Sequence, residues 1–179
     1  LYDHSGNQNH GTIYGAEWST DVPQPTNYSL SFDGEDDRVE LSSQMFSGLN
    51  QFTLESWFYA DGDQSNYSNI IQQDRGVYLR YDENEQVFKY TLFLDNVSYQ
   101  ITSSEPTLNQ WHHFAITYDG NSIIAYLNNE VVGTVSGTGT PFHNVNPVYV
   151  GNWQTTEGFN GKIDEMRLWD NARVQSEIQ

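Results

Sequence analysis

Along most of the chain, apolar and polar residues alternate with a period of two. Tyr28-Ser-Leu-Ser-Phe32 alternates cleanly, and Phe52-Thr-Leu-Glu-Ser-Trp-Phe58 places Phe52, Leu54 and Phe58 on one face. His113–Tyr118 groups Phe114, Ile116 and Tyr118, and Ile123–Leu127, Val148–Val150 and Lys162–Trp169 follow as further strands. Asp119-Gly120-Asn121 sits between two of these runs and predicts a hairpin. Asp33-Gly34, Asp61-Gly62 and Asn128-Asn129 mark other turns. The only helical hint is the tail, Ala172–Ile178. Trp57, Trp111 and Trp169 lie within strands and are expected in the core. Many short strands without intervening helices predict an all-β, antiparallel sandwich or barrel. A length of 179 residues predicts a single domain with a sizeable core.

Charge narrows the possible partners. Lys+Arg is 7 against Asp+Glu 24, a formal net charge of -17. Nucleic acid and anionic membrane surfaces both require basic patches, so neither is expected as a partner. Such acidity suits calcium-rich or saline surroundings, where cations screen self-repulsion. With no cysteine, disulfides, thiolate metal sites and cysteine catalysis are excluded. No apolar run approaches the roughly 20 residues of a membrane-spanning helix, so membrane insertion is not expected. The chain reads as a domain excised from a longer protein, whose other domains would be its neighbours.

Asp3-His4-Ser5-Gly6-Asn7-Gln8-Asn9-His10-Gly11 breaks the strand pattern. Oxygen-bearing side chains at alternate positions, with glycines for tight turns, suit a loop wrapped around a hard cation. Asp3 would supply a carboxylate, Asn7 and Asn9 amide or backbone oxygens, and Gly11 a backbone carbonyl. One acid is too little charge, so Asp164 of the last predicted strand is the candidate to complete a structural Ca2+ site and clasp the two ends together. The alternative is an Asx-rich surface loop that caps its own turns. His4 and His10 have no third His or Cys nearby in sequence and fall short of a zinc set. The acidic stretch from Asp33 to Asp37 is a candidate second cation site, or simply a turn.

Six phrases in order resemble the laminin-G-like, concanavalin-A-like jelly-roll domains of bacterial extracellular proteins. They are Asp3-x-Ser5-Gly6-Asn7-x-Asn9-x-Gly11, Leu30–Val39, Phe52–Trp57, Trp111–Gly120, Ala125–Glu130 and Phe159–Trp169, and together they span practically the whole chain. The resemblance implies two curved antiparallel sheets similar in fold to pentraxins and legume lectins, often with bound calcium, in an extracellular or cell-surface setting. It does not fix a function, because members of the fold bind sugars, bind proteins or space other domains.

Jelly-roll glycoside hydrolases carry two closely spaced carboxylates on one strand. Here Lys162 stands where the second acid of Asp164-Glu165 would be needed, and Glu55 and Asp61 lack a partner at the right spacing. Gly-x-Ser-x-Gly is absent. One of His112 and His113 must point inward as a structural histidine. No catalytic residue is assigned.

A sugar site needs an aromatic plane and polar side chains. The loop-borne candidates are Tyr67, Phe142 with His143, and Trp153, with Asn69, Asp74, Arg75 and Asn152 (and beside them Asn66, Asn144 and Asn146) as polar neighbours. Three Asn-x-Ser triplets, at Asn27, Asn66 and Asn96, would matter only in a eukaryotic secretory pathway. The reading is a calcium-stabilised, non-catalytic carbohydrate-binding or adhesion module. Its alternatives are a spacer or protein-binding domain with purely structural calcium, and a glycan-degrading enzyme.

Overall fold

The computed structural model describes residues 1–178 apart from residues 25, 63, 65, 66, 142–144 and 154–156. Its strands are β1 (Thr12–Tyr14), β2 (Glu17–Ser19), β3 (Ser29–Asp33), β4 (Arg38–Leu41), β5 (Phe52–Ala60), β6 (Tyr67–Gln72) and β7 (Val77–Asp82). They continue with β8 (Val87–Leu94), β9 (Val97–Ser104), β10 (Trp111–Tyr118), β11 (Ser122–Leu127), β12 (Glu130–Ser136), β13 (Val148–Val150) and β14 (Asn160–Trp169). The first sheet runs β1-β4-β13-β6-β7-β8-β9 and the second β12-β11-β10-β5-β14-β3-β2, every pairing antiparallel. The expected all-β jelly-roll sandwich is therefore the observed fold.

Alternation builds the core. On β5, Phe52, Leu54 and Phe58 point inward and are essentially fully buried, and they meet Phe114, Ile116 and Tyr118 of β10 across the ladder. The opposite layer contributes Ile71, Val77, Leu79, Phe88, Tyr90, Leu92 and Val150. Phe58 stacks on Phe88 with ring centroids 5.1 Å apart, tying the two sheets together.

Three expectations change here. The aligned strands put Trp57, Trp111 and Trp169 on the outer face of the second sheet, so none belongs to the sandwich core. The tail forms only a 3-10 turn, Gln175–Glu177, because it is stretched across that outer face by other contacts. Its Arg173 N–H donates to Thr53 Oγ1 at 2.8 Å, and Ile178 is buried against Ala115 and Tyr126. Tyr67 and Asn69 lie in strand β6, not in a loop. The predicted β10–β11 hairpin forms as expected, with Asp119 Oδ1 accepting from Asn121 and Ser122 N–H.

Candidate functional site

The outer face of the first sheet carries a continuous row of facing residues. Register places Thr12 opposite Glu40, Glu40 opposite Tyr149, Tyr149 opposite Gln72, Gln72 opposite Tyr78, Tyr78 opposite Thr91, and Thr91 opposite Gln100. At about 4.8 Å per strand this row crosses all seven strands over roughly 29 Å. A second row joins Asn69, Arg80, Lys89 and Thr102, and Tyr67 lies opposite Asp82. Aromatic rings and cations are interleaved. Arg38 lies 4.2 Å over the ring of Tyr14, Arg80 lies 4.7 Å over Tyr67, and Tyr78 packs edge-on to Phe93. Tyr14 and Tyr67 are exposed, while Tyr78 and Tyr149 are half-buried.

Two amides in this face are buried with an oxygen left over. Asn69 Nδ2 donates to Glu157 Oε2 at 2.5 Å, which fixes the amide's orientation, and Asn69 Oδ1 has no hydrogen-bond partner. Gln72 Oε1 is likewise without one. Two of the cations nearby are spent locally. Lys89 Nζ lies 2.7 Å from Asp82 and 2.9 Å from Glu85, and Arg38 bonds Glu40 at 3.0 Å.

The sequence candidates divide between the two ends of β6. Tyr67, Asn69, Asn152 and Trp153 gather at one end. Asn152 is fully buried; its Nδ2 donates to Glu35 O at 2.6 Å and its Oδ1 accepts from Glu157 N–H, so it props the loop that holds Trp153. Asp74 and Arg75 lie in the turn at the far end, where Arg75 has φ 51° and its N–H donates to the Tyr78 hydroxyl at 2.9 Å. Asn146 is at that far end as well, its carbonyl accepting from Gln73. Phe142 and His143, with Asn66 and Asn144, lie outside the described residues. Gln72, Tyr78, Arg80 and Tyr149 were missed by sequence reading. The alternation Val77, Leu79, Tyr81 was the available signal for Tyr78 and Arg80.

Asp3 and Asp164, the two ends of the expected calcium clasp, each have hydrogen-bond partners of their own. Asp3 Oδ1 accepts from Ser5 N–H at 2.8 Å, and its Oδ2 accepts from the Ser5 hydroxyl at 2.8 Å and from Asn9 N–H at 2.9 Å. These hydrogen bonds, those of Ser5 foremost, lower the Asp3 carboxyl to about 2. Asn7 N–H donates to Ser5 Oγ, Asp3 N–H to His10 Nδ1, and Gly11 N–H to Leu1 O, so the loop caps itself. Gly11 then leads into β1 of the first sheet. Asp164 instead lies opposite Trp57 in the second sheet, accepting from the Thr26 hydroxyl and from Glu165 N–H, both at 2.8 Å. Burial pushes its carboxyl up. The acids that do converge are Asp33, Asp36 and Asp37, with one oxygen of each within 4.8 Å of the others. Burial, and the charges of Asp33, Asp36 and Glu17, raise Asp37. Beside them lies an open cleft of ≈ 260 Å³ lined by Gly15, Glu17, Ser31, Asp33 and Asp37.

With this geometry established, similarity to known proteins identifies the domain. The Laminin_G_3 profile, described as concanavalin A-like lectin/glucanases superfamily, matches residues 33–179. The chain belongs to this superfamily. This Laminin_G_3 domain is also 26% identical to human pappalysin-1 over 186 residues, which covers 91% of the chain and 11% of pappalysin-1. It therefore spans about a tenth of that relative's length. Its fold is similar to domain 4 of AbnA, a GH43 extracellular arabinanase from Geobacillus stearothermophilus, solved in complex with arabinotriose. The TM-score is 0.77 and identity 18%, covering 99% of this chain and 90% of that one. It is also similar to the binding domain of botulinum neurotoxin DC solved in complex with SialylT, with TM-score 0.76 and 15% identity over 98% of this chain and 46% of that one.

Within the Laminin_G_3 domain, the acid singled out on β5 has a structural role. Glu55 is fully buried; its Oε1 accepts from Trp169 Nε1 at 2.8 Å and Arg173 Nη1 at 3.0 Å, while Oε2 lies 3.9 Å from His113 Nε2. Burial lowers His113 to about 4. His112 does point inward, packing on Phe58, with Nε2 2.8 Å from Thr107 O.

Proposed function

We propose that this domain is a non-catalytic glycan-binding module of an extracellular or cell-surface protein, and that the outer face of its first sheet is the binding surface. One observation carries the reading: buried, partnerless amide oxygens of Asn69 and Gln72 lie among the rings of Tyr67, Tyr78 and Tyr149. A buried acceptor without a partner is costly, and a sugar hydroxyl is a suitable donor for it. Tyrosine rings supply the flat apolar surface that a pyranose or furanose C–H face needs. The capture of arabinotriose by domain 4 of AbnA and of SialylT by the botulinum binding domain supports a saccharide as the ligand class for the fold. A non-catalytic role fits the commitment of Glu40, Asp82 and Glu55 to cations.

Calcium, in this reading, is a staple rather than a sugar ligand, and Asp33, Asp36 and Asp37 are the carboxylates able to hold it. The glycan reading is tested by a glycan array with wild type and with Tyr149→Ala and Tyr78→Ala. Binding to at least one glycan, lost in both variants while each stays folded, is the expected result. A spacer or protein-binding role replaces it if no saccharide binds.

A further inference from the structure

The chain has seven Lys and Arg side chains, and five are paired with acids: Arg38 with Glu40, Lys89 with Asp82 and Glu85, Lys162 with Asp21, Arg167 with Glu165, and Arg173 with Glu55. Among the described residues, Arg75 and Arg80 have no ion pair. In a chain of net charge -17 an unpaired guanidinium is conspicuous. Arg75 is exposed in a turn, but Arg80 stands in the middle of the binding face. Asp82, two residues along the same strand and on the same face, is already held by Lys89 at 2.7 Å.

Arg80 is also oriented. Its guanidinium lies 4.7 Å over the ring of Tyr67 and 6.0 Å from that of Tyr78. Directly opposite it on β6 is Asn69, with its partnerless Oδ1, and two residues along β7 is the Gln72–Tyr78 pair with the partnerless Oε1. The face therefore sets a donor-only fork beside two buried acceptors. A guanidinium has five N–H donors and no acceptor, and its planar fork matches a carboxylate through two parallel hydrogen bonds. A ligand complementary to both halves offers hydroxyl donors and one carboxylate on the same ring.

We propose that this face selects saccharides bearing a carboxylate, the uronic-acid class, and that Arg80 is the residue that reads the acid. The inference rests on the glycan-binding reading above and narrows it.

The test is calorimetric titration with galacturonic, glucuronic, mannuronic and guluronic acid oligosaccharides, each alongside its methyl ester. Esterification keeps the ring and its hydroxyls and removes the charge. The expected result is that at least one acid form binds roughly ten- to a hundredfold more tightly than its ester, the range for one charge-assisted hydrogen-bonded contact. Arg80→Gln should bring the acid down toward the level of the ester, weakening the acid far more than the ester. Arg80→Lys should restore only part of the preference, because it keeps the charge but loses the fork. Circular dichroism confirms that the variants fold. Equal binding of acid and ester, or equal weakening of both by Arg80→Gln, overturns the acid selectivity and leaves glycan binding standing. Neutral glycans bound on the array with none of the uronates bound has the same meaning. Silence from every saccharide, charged or neutral, overturns both.

Discussion

The two sheets share one interior and treat their outer faces in opposite ways. On the second sheet the chain's own tail covers the part of the outer face around Thr53, Glu55 and Ala115. Glu55, His113 and Ala115 are buried there, Arg173 and Trp169 converge on Glu55, and Ile178 fills the space against Tyr126. Its leftover polar atoms, Glu55 Oε2 and His113 Nδ1, are enclosed with it. On the first sheet the row from Glu40 through Tyr149, Gln72 and Tyr78 stays partly open, and its leftover acceptors lie among half-buried and exposed tyrosines. The lesson is that one unsatisfied buried group means different things in different settings. Beneath a strap it is a cost to stability; on the proposed binding face it is a candidate acceptor for a ligand.

The largest effect should come from breaking the strap. Glu55→Ala leaves Arg173 and Trp169 without their shared acceptor. Removing one partner of a buried ion pair costs about 3–5 kcal/mol. For a domain of this size that lowers Tm on the order of 10 °C in a thermal melt. Glu40→Ala, on the open face, should stay within about 0.5 kcal/mol of wild type.

Acid should loosen the same strap. His113 falls to about 4 in the folded protein from 6.5, because burial disfavours its charged form. Its contribution is fully present above pH 6.5 and is lost as pH falls from there toward 4, since the unfolded chain binds the proton first. The full loss is about 3 kcal/mol. Melting scans between neutral pH and pH 4 should show this slope, and His113→Gln should flatten it. An unchanged slope in that variant assigns the effect elsewhere.

On the open face the pattern should reverse. Gln72→Leu should weaken glycan binding by roughly tenfold, the worth of about one hydrogen bond, while leaving Tm close to wild type. The smallest effect concerns the cation. Added calcium should raise Tm by a few degrees over chelator, as expected for a ligand that binds only the folded state. Asp37→Asn should abolish that rise and Asp3→Ala should preserve it. The reverse order would return the site to the amino-terminal loop.

The same contrast governed what could be read from the sequence. The main strands of the second sheet, β3, β5, β10, β11 and β14, announce themselves by large apolar residues alternating with small or polar ones, as in Phe52-Thr-Leu. In the first sheet the outer positions are tyrosines and long polar chains, so Val77-Tyr-Leu-Arg-Tyr-Asp offers aromatics on both faces and blurs the period. Strand β6 begins in a Ser- and Asn-rich stretch that reads as loop, and β9 buries only Ile101 and Ser103. The proposed binding face was thus hidden by its own composition. The metal reading met a different obstacle. Local chemistry suggested the Asp3 loop, but only the strand order shows that Asp164 belongs to the opposite sheet. Trp153 and Asn152 were singled out because a Trp in a Gly-Asn-rich loop stands out, although Asn152 proves to be a prop for that loop.

The most direct test of the central claim is a ¹⁵N amide shift map of the domain titrated with a glycan that the array identifies. The account predicts that the perturbed amides cluster on β13, β6, β7 and β8, with Tyr149, Gln72, Tyr78 and Arg80 among the largest, and that β10, β11 and the tail stay silent. Perturbations centred on the tail-covered face or on the amino-terminal loop would contradict it.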